Sequence, residues 1–117
     1  MEPFCRVTIY GKPFSKQRPR HIQGTNRTYT PRETVEAEKV VKEAVLAVYD
    51  GKPVTDRVGL VLTFFGANVL SDLDNLIKTI MDGAQGVLWV NDRQIDEVAA
   101  RRVTSKSPRT ELAAYIL

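Results

Sequence analysis

Asp72, Asp74, Asp82 and Asp92 lie close together in the sequence, with Lys78 among them. Carboxylates gathered around one helix start, with a cation one turn in, are groups suited to a hard divalent ion. Mg²⁺ takes oxygen ligands, usually one or two carboxylates completed by water and substrate phosphate.

The same acids admit a structural reading. Ser71-x-x-Asp74 fits a capping box, with Ser71 as N-cap and Asp74 at the third helical position. Acids in a first turn complement the helix dipole. Asp74 and Lys78 are spaced as an i,i+4 ion pair. Four acids exceed what a cap needs, and on spacing alone both readings stay open.

The helix that must position these groups runs from about Ser71 to Gly83-Ala84. Leu73, Leu76, Ile77, Ile80 and Met81 recur at helical spacing and form its core face. Asp74, Lys78 and Asp82 share another face. Before it, Arg57 to Phe65 reads as a strand apolar on both faces, hence central in a sheet. The first carboxylates therefore follow a central strand and stand at a helix N-terminus, where backbone N–H groups favour anions. After it, the short run Val87 to Val90 carries Trp89 as a core residue, and Asn91-Asp92 forms a loop. A strand from about Glu97 to Ser105, a turn at Ser107-Pro108-Arg109 and a strand from Glu111 to Ile116 complete the chain. These last two strands are expected to pair as a hairpin.

At the other end, Phe4 to Tyr10 alternates as a strand with Cys5, Val7 and Ile9 on one side. Thr30-Pro31-Arg32-Glu33 opens a first helix, with Thr30 as N-cap, Pro31 at the first helical position and Glu33 at the third. Ala37, Val40, Val41, Ala44, Val45 and Val48 give it an apolar face, and it ends near Asp50-Gly51. The order β-α-β-α-β-β predicts an α/β (α+β) fold. It forms a single domain over residues 1–117, a mixed sheet with two helices packed on one face.

Residues 11–32 lack periodicity and form a long basic loop. Residues 1–32 hold seven Lys/Arg against one acid, Glu2, whereas the rest of the chain holds ten against thirteen. A basic arm on a locally acidic body suits a protein that holds a polyanion around bound cations. Lys16, Arg18 and Arg20 are the nucleic-acid-binding candidates, as phosphate contacts, with Phe14 or Tyr29 available to stack on a base. Arg101, Arg102 and Arg109 are further candidates. The competing reading is a solvated basic loop.

Hydrophobic residues make up 43% of the chain, enough for a real core. No apolar run approaches bilayer length and no signal-type segment follows the N-terminus, so a cytoplasmic location and no membrane partner are expected. One cysteine excludes an intrachain disulfide, and Cys5 reads as a small buried hydrophobe.

Three segments together resemble the RusA family of crossover-junction endodeoxyribonucleases. They are Asp72-Leu73-Asp74-Asn75-Leu76-Ile77-Lys78 with Asp82, then Trp89-Val90-Asn91-Asp92-Arg93-Gln94-Ile95, and the N-terminal Gly11-Lys12-Pro13 with Ser15-Lys16-Gln17-Arg18-Pro19-Arg20. The resemblance implies a homodimeric, Mg²⁺-dependent nuclease, with Mn²⁺ able to substitute. Such an enzyme resolves four-way (Holliday) DNA junctions by paired symmetric nicks in recombination and repair, and is bacterial, often carried by phages or prophages. It also implies Asp72, Asp74 and Asp92 as metal and catalytic carboxylates and Lys78 as a catalytic or phosphate-contacting lysine. Asp82 matches the family's extra acid. Asn91 departs from the family's paired acids and brings an amide where a charge is expected. Two alternatives remain: a non-catalytic nucleic-acid-binding module, and a metal-dependent nuclease of other branched-DNA specificity.

Overall fold

The computed structural model describes residues 1–16, 20–21, 23–24, 28–29 and 31–117, with only the backbone of Arg20, His21, Thr28 and Tyr29. Its elements are β1 (Cys5–Tyr10), β2 (Arg20–His21), β3 (Thr28–Tyr29), α1 (Arg32–Val48), β4 (Val58–Phe65), α2 (Leu73–Ala84), a 3₁₀ turn (Asp92–Gln94), β5 (Ile95–Val103) and β6 (Arg109–Ile116). The expected β-α-β-α-β-β order is present. The two-residue strands β2 and β3 pair within the basic loop, where little regular structure was expected.

The main sheet has the order β1-β6-β4-β5. β4 runs antiparallel to β6 and parallel to β5, with α2 in the crossover between them. β4 is central, as its two apolar faces require. The hairpin of the last two strands is not what forms. β6 lies on the far side of β4, between β4 and β1, and β5 takes the sheet edge. The reason is burial. Leu112, Ala113 and Ala114 of β6 are all buried and suit a central strand. β5 carries Asp96, Glu97, Arg101 and Arg102 on an almost wholly exposed strand, which only an edge tolerates.

The link from β5 to β6 therefore has to step across the end of β4. It does so over Gly66, whose φ is +70° and whose N–H donates to the Val103 carbonyl at 2.9 Å. A Cβ on Gly66 would stand 2.9 Å from the Ser105 carbonyl oxygen, so both the turn and the crossing demand glycine.

Both helices lie on one face of the sheet. Leu60, Leu62 and Phe64 of β4, Leu112 and Ala114 of β6, and Cys5, Val7 and Ile9 of β1 point to them. Val41 and Val45 of α1 and Leu76, Ile80 and Ala84 of α2 close the core, with Leu73, Ile77 and Met81 packed at its border. Trp89 is fully buried beneath α2, as its sequence context suggested. Cys5 is a free, buried thiol, and burial pushes its pKa up. The helices cross closely at Gly83, where a Cβ would meet Val41 Cβ at 2.6 Å and the Glu38 carbonyl oxygen at 2.9 Å. No described helix is long and apolar enough to cross a membrane.

Helix starts differ from expectation by one residue. Pro31 occupies the N-cap position of α1, its carbonyl accepting from Thr34 N–H at 3.1 Å, and Glu33 is the second helical residue. Thr30 lies outside the described residues. α2 has Asp72, not Ser71, at the N-cap, and Asp74 is its second residue. Neither residue makes the side-chain bonds of a capping box. Asp74 instead accepts from the next backbone N–H, that of Asn75, at 2.9 Å.

Candidate active site

α2 starts one short loop after central β4, so Asp72 and Asp74 stand exposed at its N-terminus. Free backbone N–H groups and the helix dipole make this end attractive to anions, including phosphate oxygen. Asn75 lies between the two acids: its amide donates to Asp72 Oδ2 at 3.4 Å and its backbone N–H to Asp74 Oδ1.

One and two turns beyond Asp74, the helix presents Lys78 and Asp82 in turn. Lys78 Nζ lies 3.1 Å from Asp82 Oδ1 and 3.6 Å from Asp92 Oδ2. It turns towards these two carboxylates and away from the expected i,i+4 partner Asp74. Asp74 is exposed and already accepts a hydrogen bond, whereas Asp82 and Asp92 are half-buried and together offer more charge to a half-exposed ammonium.

Asp92 is held from three sides. Trp89 Nε1 donates to its Oδ1 at 2.8 Å, its own N–H donates to Gln85 Oε1 at 2.8 Å, and Lys78 faces its Oδ2. The segment around it is built by a reciprocal cap. Asn91 Oδ1 accepts from Arg93 N–H at 2.9 Å, and Gln94 Oε1 accepts from the N–H groups of Val90 and Asn91. Gln94 also donates to the carbonyls of Val54 and Asp56, which ties the turn to the chain entering β4. Asn91 is therefore a capping residue whose oxygen is taken. Amide and carboxylate cap about equally well, so this cap does not require the acid that the family resemblance led one to expect here.

Lys16 is the larger departure. Read in sequence as a phosphate contact, it places its ammonium on Asp82, with Glu38 Oε2 at 3.4 Å. Its backbone N–H donates to the Asn75 carbonyl at 3.0 Å. Burial lowers the ammonium's pKa, but the bond and charge of Asp82, then of Glu38, outweigh it, and the pKa is raised overall. Glu38 Oε2 is buried without a hydrogen-bond donor, so this ammonium is its counter-charge. Arg18 lies outside the described residues, and only the backbone of Arg20 is described, in β2. Arg102 donates to the carbonyls of Val69 and Ser71 and so anchors the loop entering α2. Arg109 stacks 3.8 Å over the Phe65 ring and bonds Glu111. Sequence reasoning did not single out Glu38, Gln85 or Gln94. Only Gln94 carried a signal, through its place in the family pattern.

The donor chemistry here suits Mg²⁺: every acidic ligand candidate offers oxygen. Among the described residues, however, no three acids, histidines or cysteines converge into a group able to hold a metal ion. What this chain offers is a pair of carboxylates flanking Asn75 and a third beyond Lys78. That suits an ion completed by water and substrate oxygen better than a cage made by protein alone. A 420 Å³ cavity between α1, α2 and the Gly11–Phe14 link is mainly apolar and contains none of Asp72, Asp74, Lys78 or Asp92.

The family model described as endodeoxyribonuclease RusA matches residues 10–114. The chain belongs to the RusA family. The match spans the basic loop, both helices and the whole Asp72–Asp92 region, so the acids, Lys78 and the Lys16 arm all fall within it. Membership in an endodeoxyribonuclease family makes this chain a nuclease by class. A search of curated proteins finds no match.

Proposed function

We propose that this RusA-family chain is a divalent-metal-dependent endodeoxyribonuclease that resolves four-way DNA junctions by paired nicks, acting as a homodimer. The observation that carries the reading is that Asp72 and Asp74 stand at the N-terminus of α2 while Lys78 of the same helix lies 3.6 Å from Asp92 Oδ2, all inside the family match. In this reading Asp72, Asp74 and Asp92 hold Mg²⁺, or Mn²⁺ in its place. The chemistry such an ion supplies is charge neutralisation at the phosphodiester and activation of a water.

The chain's own groups do the rest. The N-terminus of α2 orients the phosphate through its free N–H groups. Lys78, held between Asp82 and Asp92, offsets negative charge as it builds on the phosphoryl oxygens. Trp89 and Gln85 keep Asp92 in place. Arg18 and Arg20 supply sequence-independent backbone contacts. Lys16 serves first to fix Asp82. A four-way junction presents two strands for cutting, and a two-fold dimer with two sites matches that symmetry.

The test is cleavage of a labelled four-way junction in Mg²⁺ beside Asp74→Asn and an EDTA control. Symmetric nicks by the wild type, with binding but no cutting by the variant, support the reading. Equal binding with no cutting by either protein makes the chain a nucleic-acid-binding module. Faster cutting of flaps than of junctions in one mixture assigns another branched-DNA specificity.

A further inference from the structure

β5 forms the edge of the sheet, and no strand among the described residues pairs with its outer side. It is nine residues long, and six of them, from Asp96 to Ala99 with Arg101 and Arg102, are exposed. A long exposed edge offers a row of backbone donors and acceptors to any added strand, and scattered charge is the usual guard against this. In β5 the charge is not scattered. The acids Asp96 and Glu97 fill the first half and the arginines Arg101 and Arg102 the second, with Val98, Ala99 and Ala100 between them.

That pattern is complementary to itself under reversal. Two β5 strands laid antiparallel about Ala99 set Glu97 opposite Arg101, Asp96 opposite Arg102, Val98 opposite Ala100 and Ile95 opposite Val103. Each match occurs twice, as a two-fold interface requires. Directly opposed residues share a sheet face, so these are true side-chain neighbours. Moving the centre to Val98 sets Glu97 against Ala99, and moving it to Ala100 sets Glu97 against Val103. Either shift loses both charge pairs.

Within the chain, Asp96 is already forked by Arg57 and Arg102 bonds backbone carbonyls. Glu97 and Arg101 have no ion-pair partner among the described residues, and they are the pair left for a second copy. Beside them the edge of the sheet carries a mainly apolar groove lined by Val61, Glu97, Val98, Ala99, Tyr115 and Leu117. Val61, Val98 and Leu117 are 44%, 39% and 47% exposed.

We infer that β5 is the self-association edge of this protein, where a second copy adds antiparallel about Ala99 and Glu97 pairs with Arg101 across the two-fold axis. The inference rests on the homodimer reading above and names its surface and register.

The test is sedimentation equilibrium of the full chain, with wild type beside Glu97→Arg, Arg101→Glu and the double exchange. Far-UV circular dichroism confirms that each is folded. Each single reversal repels at two symmetry-related places and is expected to raise the dimer dissociation constant about tenfold or more. The double exchange restores it. Independently, Ala99→Cys sits on the axis and is expected to cross-link to itself on mild oxidation, because opposed antiparallel residues lie within disulfide range. A monomeric wild type overturns the homodimer reading itself. A dimeric wild type whose dissociation constant ignores both reversals, and whose Ala99→Cys variant does not cross-link, overturns this surface and leaves the homodimer reading standing.

Discussion

Lys78 Nζ stands 3.1 Å from Asp82 and 3.6 Å from Asp92, one ammonium between an acid of its own helix and an acid carried by the turn before β5. In the proposed mechanism a cation placed this way is positioned before substrate arrives, so its contribution falls on the transition state more than on affinity. Lys78→Ala is expected to lower single-turnover junction cleavage by about 10²–10³-fold. Binding should change by less than about tenfold, since one phosphate contact among many is lost. Gel shift and rapid-quench cleavage on one junction separate the two. Full cleavage with lost affinity would make Lys78 a binding residue only.

Asp82 serves two cations. Its carboxylate faces Lys16 on one side and Lys78 on the other, and it is half-buried. Asp82→Asn keeps the shape but removes the charge, leaving two ammonium groups and Glu38 poorly matched. Losing charge-assisted bonds of this kind costs about 1–2 kcal/mol, read as a fall in urea midpoint. Lys16→Met should cost a similar amount, because it strands the buried Oε2 of Glu38. The double variant should cost less than the sum of the two, as expected for residues in contact. Strict additivity would mean that the pair is not coupled.

Trp89 links the core to Asp92. It is fully buried, and its indole N–H holds Asp92. Trp89→Phe loses that bond and leaves a small void, for a destabilisation of about 1–3 kcal/mol. Compared under conditions where both proteins are folded, the variant should also cut more slowly at unchanged junction affinity. Unchanged turnover would show that Lys78 and Gln85 suffice to hold Asp92.

Gly83 is where α1 and α2 approach. Alanine favours a helix interior over glycine by about 1 kcal/mol. The added carbon meets Val41 and the Glu38 carbonyl well inside contact distance, however, and forced packing against backbone costs about 1–3 kcal/mol. Gly83→Ala should therefore be a net loss of about 1–2 kcal/mol by denaturant titration. A stabilised variant would mean that the helices separate easily.

Burial holds the Cys5 thiol above its ordinary range. Because its folded-state value exceeds its unfolded one, its contribution is intact below the unfolded pKa and is lost as the pH rises towards the folded value. Urea midpoints measured from pH 8 to pH 10 should fall further for the wild type than for Cys5→Ala. The same burial predicts slow alkylation of the native thiol at pH 8 and fast alkylation in urea. Parallel midpoint curves would show that the thiol does not titrate with unfolding.

Local pattern alone determined much of this protein. Alternation in Cys5–Ile9, the double apolar face of β4 and the helical stripe of Leu73–Met81 are near-neighbour properties, and each became the expected element. The acids, Lys78 and the family pattern were likewise legible, because residue type and spacing are what a sequence records. Tertiary structure alone decided which groups meet. Lys16 finds Asp82 across 66 positions, and Gln94 finds Val54 across 40. Asn91 proves to be a cap, and Lys78 chooses Asp82 and Asp92 over Asp74. β6 passes over β4 instead of folding back on β5, because buried apolar residues compete for the centre of a sheet and charged ones are left at its edge. Such choices depend on the relative energies of distant partners, which no window along the chain contains.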